Sequence, residues 1–182
     1  MDFLIAALPI ISTVLSVAGL VCMILASTYK TSKMETILTF VIFGNFLVAV
    51  SYLLEGNNNG ATCCFIGTAM TFINYFFERK DKPIPIWLIC IYAAAIIGVN
   101  AVVLTELVDI LSIIASLTFI LCVGQKSGAK YRFWTIINML LWISFDIIKA
   151  SYPPLFTHVS LLLFTVVGMI LYDRKKEKST AE

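Results

Sequence analysis

The sequence predicts an all-α polytopic membrane protein with seven transmembrane helices. Of its 182 residues, 60% are hydrophobic and 13% are charged, and the mean hydropathy is +0.95. Soluble globular domains are about 45–50% apolar and about 25% charged, and a soluble chain of this length could not bury the excess. The composition therefore excludes a soluble enzyme, a disordered chain and a zinc scaffold. The net charge of +2 gives no indication of nucleic-acid binding.

The second observation is a series of continuous apolar segments separated by charged or turn-forming residues. They run over about residues 3–27, 34–54, 61–77, 84–104, 106–123, 133–150 and 154–172. A membrane-spanning helix needs about 20 mostly apolar residues, whereas barrel strands would alternate between apolar and polar positions. The weakest boundary lies at Thr105 and Glu106, where the chain needs either a tight turn or a short fourth helix.

The third observation is the distribution of lysine and arginine. If the segments cross the membrane alternately, Lys149 falls on one side and the other twelve basic residues fall on the opposite side: Lys30, Lys33, Arg79, Lys80, Lys82, Lys126, Lys130, Arg132, Arg174, Lys175, Lys176 and Lys178. Cytoplasmic loops are rich in basic residues, so the N-terminus is expected outside and the C-terminus in the cytoplasm. The first segment has no basic leader or cleavage site and is interpreted as a retained helix.

A shift of 95 residues brings two similar halves of the chain into register. Phe77-Glu78-Arg79-Lys80 then faces Tyr172-Asp173-Arg174-Lys175. Either a three-helix unit has been duplicated, or the pattern arises because any chain of short hairpins looks periodic. Duplication predicts a parallel repeat in a 3+1+3 arrangement. Its parts are a first bundle at 1–82, a linker helix at 83–105, a second bundle at 106–172 and a cytoplasmic basic tail at 173–182.

Two stretches carry a resemblance to a known family. They are SYLLEGNNNGATCCFIGTAMTFINYFFERK (51–80) and LWISFDIIKASYPPLFTHVSLLLFTVVGMILYDRKK (141–176). The chain resembles the YgjV-like family of bacterial inner-membrane proteins over about residues 15–176. That family is distantly similar to the SWEET, SemiSWEET and PQ-loop transporters and to the PnuC vitamin transporters. The resemblance implies a 3+1+3 bundle and solute transport.

The resemblance also implies two solute contacts. In SWEET-like triplets, a tryptophan on the second helix and a polar residue on the third flank the solute. Trp142 and His158 resemble this pair, whereas Leu47 and Cys63 occupy the corresponding places in the first triplet. The proline-glutamine dipeptide of PQ-loop proteins is absent, since Pro9 is followed by isoleucine.

A mixed aromatic and polar face on the sixth segment is the main candidate for a solute site. Trp134, Asn138, Trp142 and Asp146 recur every fourth residue, which places them on one face of a helix. Such a face combines ring surfaces with hydrogen-bonding groups, as solute pockets do. The alternative is that the tryptophans occupy interface and packing positions and that Asn138 bonds a neighbouring helix.

A layer of polar residues near the predicted outer surface is the second candidate. Asp109, Asp146, His158 and Asn100 each lie three or four residues from an outer helix end, which corresponds to a depth of roughly 5–7 Å. This layer is predicted to bind a cation, carry a proton or hold a polar solute. The alternative is a water-filled vestibule in which Asp146 pairs with Lys149 one turn later.

Together these patterns favour a facilitator or ion-coupled transporter for a small sugar, vitamin or nucleoside-like solute, working by alternating access. Asn45, in the middle of the second segment, is predicted to face the solute path. The alternatives are a membrane-embedded binding subunit of a larger transport complex and a non-transport partner protein. No enzyme or Walker motif is found, so neither catalysis nor a cofactor is expected. The expected partners are the lipid bilayer of the bacterial inner membrane and an unknown small polar solute, and homo-oligomer formation is left open.

Overall fold

The structure is a computed structural model that describes residues 2–28 and 33–173. Within these residues it contains helices and no strand. The helices are α1 (Asp2–Thr28), α2 (Met34–Leu54), α3 (Asn58–Arg79), α4 (Ile86–Val103), α5 (Asp109–Val123), α6 (Gly128–Lys149) and α7 (Tyr152–Gly168), and a π-helical turn, Met169–Asp173, follows α7. The prediction of an all-α protein with seven helices is confirmed for the described residues. Lys30 and residues 174–182 of the predicted tail lie outside them.

Four of these helices are long and apolar enough to cross a membrane. They are Leu8–Thr28 within α1, Met34–Leu54, Asn58–Arg79 and Tyr152–Leu171. The apolar parts of α4 and α5 are shorter, at Ile86–Val102 and Asp109–Val123. Membrane crossing by α4, α5 and α6 stays a prediction.

Helix α6 is less apolar than its neighbours because it turns a polar face inward. Arg132, Asn138 and Asp146 are buried, whereas Leu140 and Ile147 are exposed. The predicted segment began at residue 133, but the helix begins at Gly128. The buried Arg132 side chain explains the difference, since its guanidinium lies 3.5 Å from the Ser27 carbonyl oxygen of α1. The pattern of charged residues alone predicts Arg132 in the loop before this helix.

The junction of α4 and α5 is shaped by one carboxylate. Asp109 Oδ2 accepts hydrogen bonds from the Thr105 backbone N–H at 2.9 Å and the Glu106 backbone N–H at 3.0 Å. It also accepts one from the Thr105 hydroxyl at 3.1 Å. An acidic side chain is favourable at a helix N-terminus, so Asp109 stabilises the start of α5. The fourth helix therefore ends at Val103. Of the two possibilities that the sequence allowed, a tight turn or a short fourth helix, the structure has the short helix.

Six helices pack side by side in a ring, and α4 lies outside it. The order around the ring is α1, α2, α3, α5, α6 and α7, with α7 packed back against α1. Helix α4 packs against α3 and α5, where Tyr92 and Ile96 are buried against Met70 and Ile120. The ring encloses the larger hydrophobic core, which includes Phe145.

A close helix crossing in the ring joins α1 to α2 through two glycines. A Cβ atom on Gly44 would lie 2.8 Å from Met23 Cγ and 3.1 Å from the Gly19 carbonyl oxygen. A Cβ atom on Gly19 would lie 3.0 Å from the Gly44 carbonyl oxygen. Small residues allow helix backbones to approach in membranes, so these two positions set the spacing of α1 and α2.

Replacing Gly44 by valine should therefore lower the free energy of unfolding by about 1–3 kcal/mol, as overpacking does, since a backbone carbonyl cannot rotate out of the way. The measurement is reversible unfolding of the purified protein in mixed detergent. Gly98→Val in α4 is the matched control, because a Cβ atom on Gly98 would have no other atom within 4 Å. Equal losses in the two variants would contradict the close crossing.

Candidate functional site

The ring encloses a small central cavity of about 40 Å³. Its polar lining residues are on α2, α3, α5, α6 and α7: Asn45, Cys63, Cys64, Ser116, Thr135, Asn138, Thr157 and His158. Its aromatic lining residues are Phe119, Tyr131 and Trp142. Solute pockets of proteins commonly combine apolar and aromatic walls with a few polar groups, and this cavity has that character.

Three rings from three helices stack beside the cavity. The rings of Trp142 on α6 and His158 on α7 are 5.5 Å apart and within 25° of parallel. Tyr52 on α2 contacts both of them, at 5.9 Å from Trp142 and 6.4 Å from His158. The Trp142 side chain is 5% exposed, so it faces the interior of the ring and not the lipid.

The buried carboxylate of Asp146 connects the same three helices, α2, α6 and α7. The Tyr52 hydroxyl donates to Asp146 Oδ1 at 2.5 Å, and His158 Nδ1 lies 2.6 Å from Asp146 Oδ2. Asp146 and Tyr52 have no exposed surface, and His158 is 6% exposed. A buried carboxylate is costly unless it is paired and hydrogen-bonded, and each of its oxygens has a partner here. We call Tyr52, Asp146 and His158 the Asp146 cluster.

A vestibule of about 890 Å³ opens at the end of the bundle where α2 and α6 end. Glu55, at the end of α2, lies in its wall. The Glu55 carboxylate accepts hydrogen bonds from the Ser12 hydroxyl at 2.5 Å and the Ser51 hydroxyl at 3.4 Å. Burial raises the pKa of the Glu55 carboxyl group, and the nearby Asp146 charge raises it further, whereas the two serine hydroxyls act in the opposite direction.

The Asp146 cluster lies between the vestibule and the central cavity. On α2, Val48 lines the cavity, Tyr52 is one turn further along, and Glu55 lines the vestibule. On α6, Trp142 lines the cavity, Asp146 is one turn further along, and Lys149 lines the vestibule. Along both helices, the hydrogen bond between Tyr52 and Asp146 therefore lies at a level between the cavity and the vestibule.

Asp109 is separate from the Asp146 cluster. Its Oδ1 atom lies 2.8 Å from Lys149 Nζ, and the same ammonium lies 3.2 Å from Glu106 Oε2. Asp109 lines the vestibule and not the cavity. The alternative pairing of Asp146 with Lys149 is therefore wrong, because the lysine extends toward α5 and the Asp146 carboxylate turns toward α2 and α7.

The three predicted asparagines occupy different surroundings. Asn138 lines the cavity and donates to the Ala115 carbonyl oxygen at 2.6 Å. Asn45 also lines the cavity, and no hydrogen bond of its amide is found in the described part of the chain. Asn100 on α4 does not line the cavity; its amide donates to the Ile96 carbonyl oxygen at 2.6 Å, and its Oδ1 atom lies 3.0 Å from Cys63 Sγ.

The structure thus brings together four of the predicted residues around the cavity: Asn45, Asn138, Trp142 and His158. It also shows neighbours that the sequence reasoning missed, above all Tyr52 and Ser116. Ser116 directly follows the buried Ala115 of α5. No regular spacing of polar residues in the sequence indicates that it faces the cavity. A signal for Tyr52 existed, since it precedes Asp146 by 94 residues, close to the repeat of the sequence.

Comparison with protein-family models gives a match over most of the chain. The family model Imp-YgjV, described as a bacterial inner membrane protein, matches residues 10–176. This range contains α2 to α7 and most of α1. No curated protein and no solved structure matches the chain.

Replacing Tyr52 by phenylalanine removes the hydroxyl that donates to Asp146 and keeps the ring. We expect the free energy of unfolding to fall by about 1–3 kcal/mol, because a buried acceptor loses its donor. The loss should be smaller when Asp146 is already asparagine, since a neutral acceptor forms a weaker bond. Tyr152→Phe is the control, because that side chain is 72% exposed. Identical losses in the aspartate and asparagine backgrounds would show that the two residues are not coupled.

Proposed function

The chain belongs to the Imp-YgjV family of bacterial inner membrane proteins, and we propose that it transports a small polar solute across that membrane. The observation that carries the proposal is the central cavity, with its aromatic wall and amide groups, closed from a polar vestibule by the Asp146 cluster. A binding space inside a helix ring with a removable barrier at one end is what a transporter requires. The proposal assigns no catalytic step to the chain.

Alternating access would arise from two related triplets, α1–α3 and α5–α7, with α4 as the linker. Helix neighbours support this arrangement, because α1 packs on α7 as α3 packs on α5. Cavity residues support it as well. Five pairs are 94 positions apart, namely Asn45 and Met139, Val48 and Trp142, Cys63 and Thr157, Cys64 and His158, and Gly67 and Leu161. Near-equivalent residues from the two halves also touch each other, as Tyr52 and Asp146 do. Parallel repeats related by an axis along the membrane normal would produce both features.

The vestibule end of the bundle is proposed to face outward. The end that carries Arg79, Lys80 and Lys130 would then face the cytoplasm, in agreement with the excess of basic residues expected there. The one basic residue of the vestibule wall, Lys149, is neutralised by Asp109 and Glu106. This orientation places the N-terminus outside and the C-terminus in the cytoplasm.

Within this proposal the predicted residues have distinct roles. Trp142 provides a flat wall for a sugar, vitamin or nucleoside-like ring, and Asn45 and Asn138 provide hydrogen bonds. His158 contributes to the wall and holds Asp146. Asp146 is part of the barrier. It acts on the solute only through His158, because Tyr52 and His158 already occupy its two carboxylate oxygens. Asp109 and Asn100 keep α5 and α4 in position.

The test is uptake of radiolabelled glucose, uridine and pyridoxine into proteoliposomes. We expect at least one of the three to enter faster than into protein-free vesicles. Trp142→Ala should lower that rate by at least about tenfold, which corresponds to about 1.4 kcal/mol of lost solute interaction. Trp87→Ala is the matched control, because Trp87 on α4 is 59% exposed. An impermeant thiol reagent on Asn58→Cys reports the sidedness of the vesicles. Uptake no faster than in empty vesicles, or equal rates in the two variants, would contradict the proposal.

A further inference from the structure

The wall of the central cavity has no free charge. None of the described residues that line it carries a carboxylate, an ammonium or a guanidinium group. The ring of His158 is the one basic group among them, and it lies 2.6 Å from the Asp146 carboxylate. Any charge that His158 gains is therefore matched by its own counter-ion, and no counter-ion is left for a solute.

A charged solute would be unfavourable in such a space. Moving an ion from water into a protein interior costs several kcal/mol unless an opposite charge and hydrogen bonds compensate. Lys149 and Asp109, a pair of opposite charges outside the Asp146 cluster, lie in the vestibule wall and are already joined at 2.8 Å. A neutral solute meets no such cost.

Polar groups without a partner show where a neutral solute would bond. The Ser116 hydroxyl is buried and lines the cavity, and the described part of the chain gives it no hydrogen-bond partner except a weak contact with the Cys63 thiol. The Asn45 amide is likewise without a bond there. Asn138 uses its N–H₂ group on the Ala115 carbonyl oxygen, which leaves its oxygen as an acceptor. Buried polar groups are normally paired, so the Ser116 hydroxyl indicates a missing hydrogen-bonding partner, and the Asn138 oxygen and the half-buried Asn45 amide face the same cavity.

We propose that the cavity, which holds about 40 Å³ here and widens as the two triplets move apart, binds a single uncharged ring solute, with one face on Trp142 and its polar edge on Ser116, Asn45 and Asn138. Ser116 is thereby a binding residue. This inference rests on the proposed transport function and narrows it from polar solutes in general to neutral ones. The aromatic surface of Trp142 favours a ring, because stacking needs a flat face.

Equilibrium dialysis of the purified protein tests the charge requirement with two matched pairs. They are uracil with its carboxylate orotate, and glucose with glucose 6-phosphate. We expect one neutral member to bind at least about tenfold more tightly than its charged partner, a difference of about 1.4 kcal/mol. Equal or tighter binding of either charged compound would overturn the proposal, and so would the failure of all four compounds to bind at millimolar concentration.

The role of Ser116 is tested on the neutral compound that binds. Ser116→Ala should weaken its binding by several-fold, whereas Ser144→Ala should leave it unchanged, because Ser144 is an exposed residue of α6. Equal affinities in the two variants would overturn the assignment of Ser116. The outcome is separable from that of the uptake experiment. Uptake together with equal or tighter binding of a charged compound in dialysis would remove this inference and keep transport, and binding of a neutral ring without uptake would do the reverse.

Discussion

The arrangement of this protein depends on one buried carboxylate. Asp146 has no exposed surface and sits in a ring of largely apolar helices. An ionisable group inside a membrane bundle is tolerated when other groups of the bundle pair with it. Tyr52 and His158 supply those groups from α2 and α7. Satisfying Asp146 therefore fixes three helices relative to one another and places two aromatic rings against Trp142.

Close packing of the helices allows the Asp146 carboxylate to reach its two hydrogen-bonding partners. A Cβ atom on Gly60 of α3 would lie 2.9 Å from the Tyr52 ring, so a larger residue there would displace the ring from Asp146. At the opposite end of the bundle, a Cβ atom on Gly168 of α7 would lie 2.9 Å from the Ser27 carbonyl oxygen. The Asn57 amide donates to the Ser151 hydroxyl at 3.1 Å and joins the turns before α3 and α7. The barrier, the cavity wall and the helix spacing are thus parts of one packed unit.

Much of this fold follows from the sequence, because apolar runs and charge placement are strong signals in membrane proteins. The four-residue spacing on α6 also predicted that Asn138, Trp142 and Asp146 share an inward face, and all three are buried. Depth along a helix is less informative, since it does not give the direction of a side chain around the helix. Asp109 and Asp146 were predicted in one layer, yet one pairs with Lys149 and the other with His158. Partners from distant helices, such as Tyr52, require the packing itself.

The central claim is that the Asp146 cluster closes the cavity toward the vestibule, and accessibility of Cys64 tests it most directly. Cys64 lines the cavity and is 7% exposed, so it can serve as the sole thiol once the other four cysteines are replaced. In proteoliposomes, a membrane-impermeant methanethiosulfonate applied from the vestibule side should modify Cys64 slowly. Asp146→Ala, which breaks the tie between α2, α6 and α7, should increase that rate by at least about tenfold, equivalent to about 1.4 kcal/mol. An unchanged rate in Asp146→Ala would contradict the account.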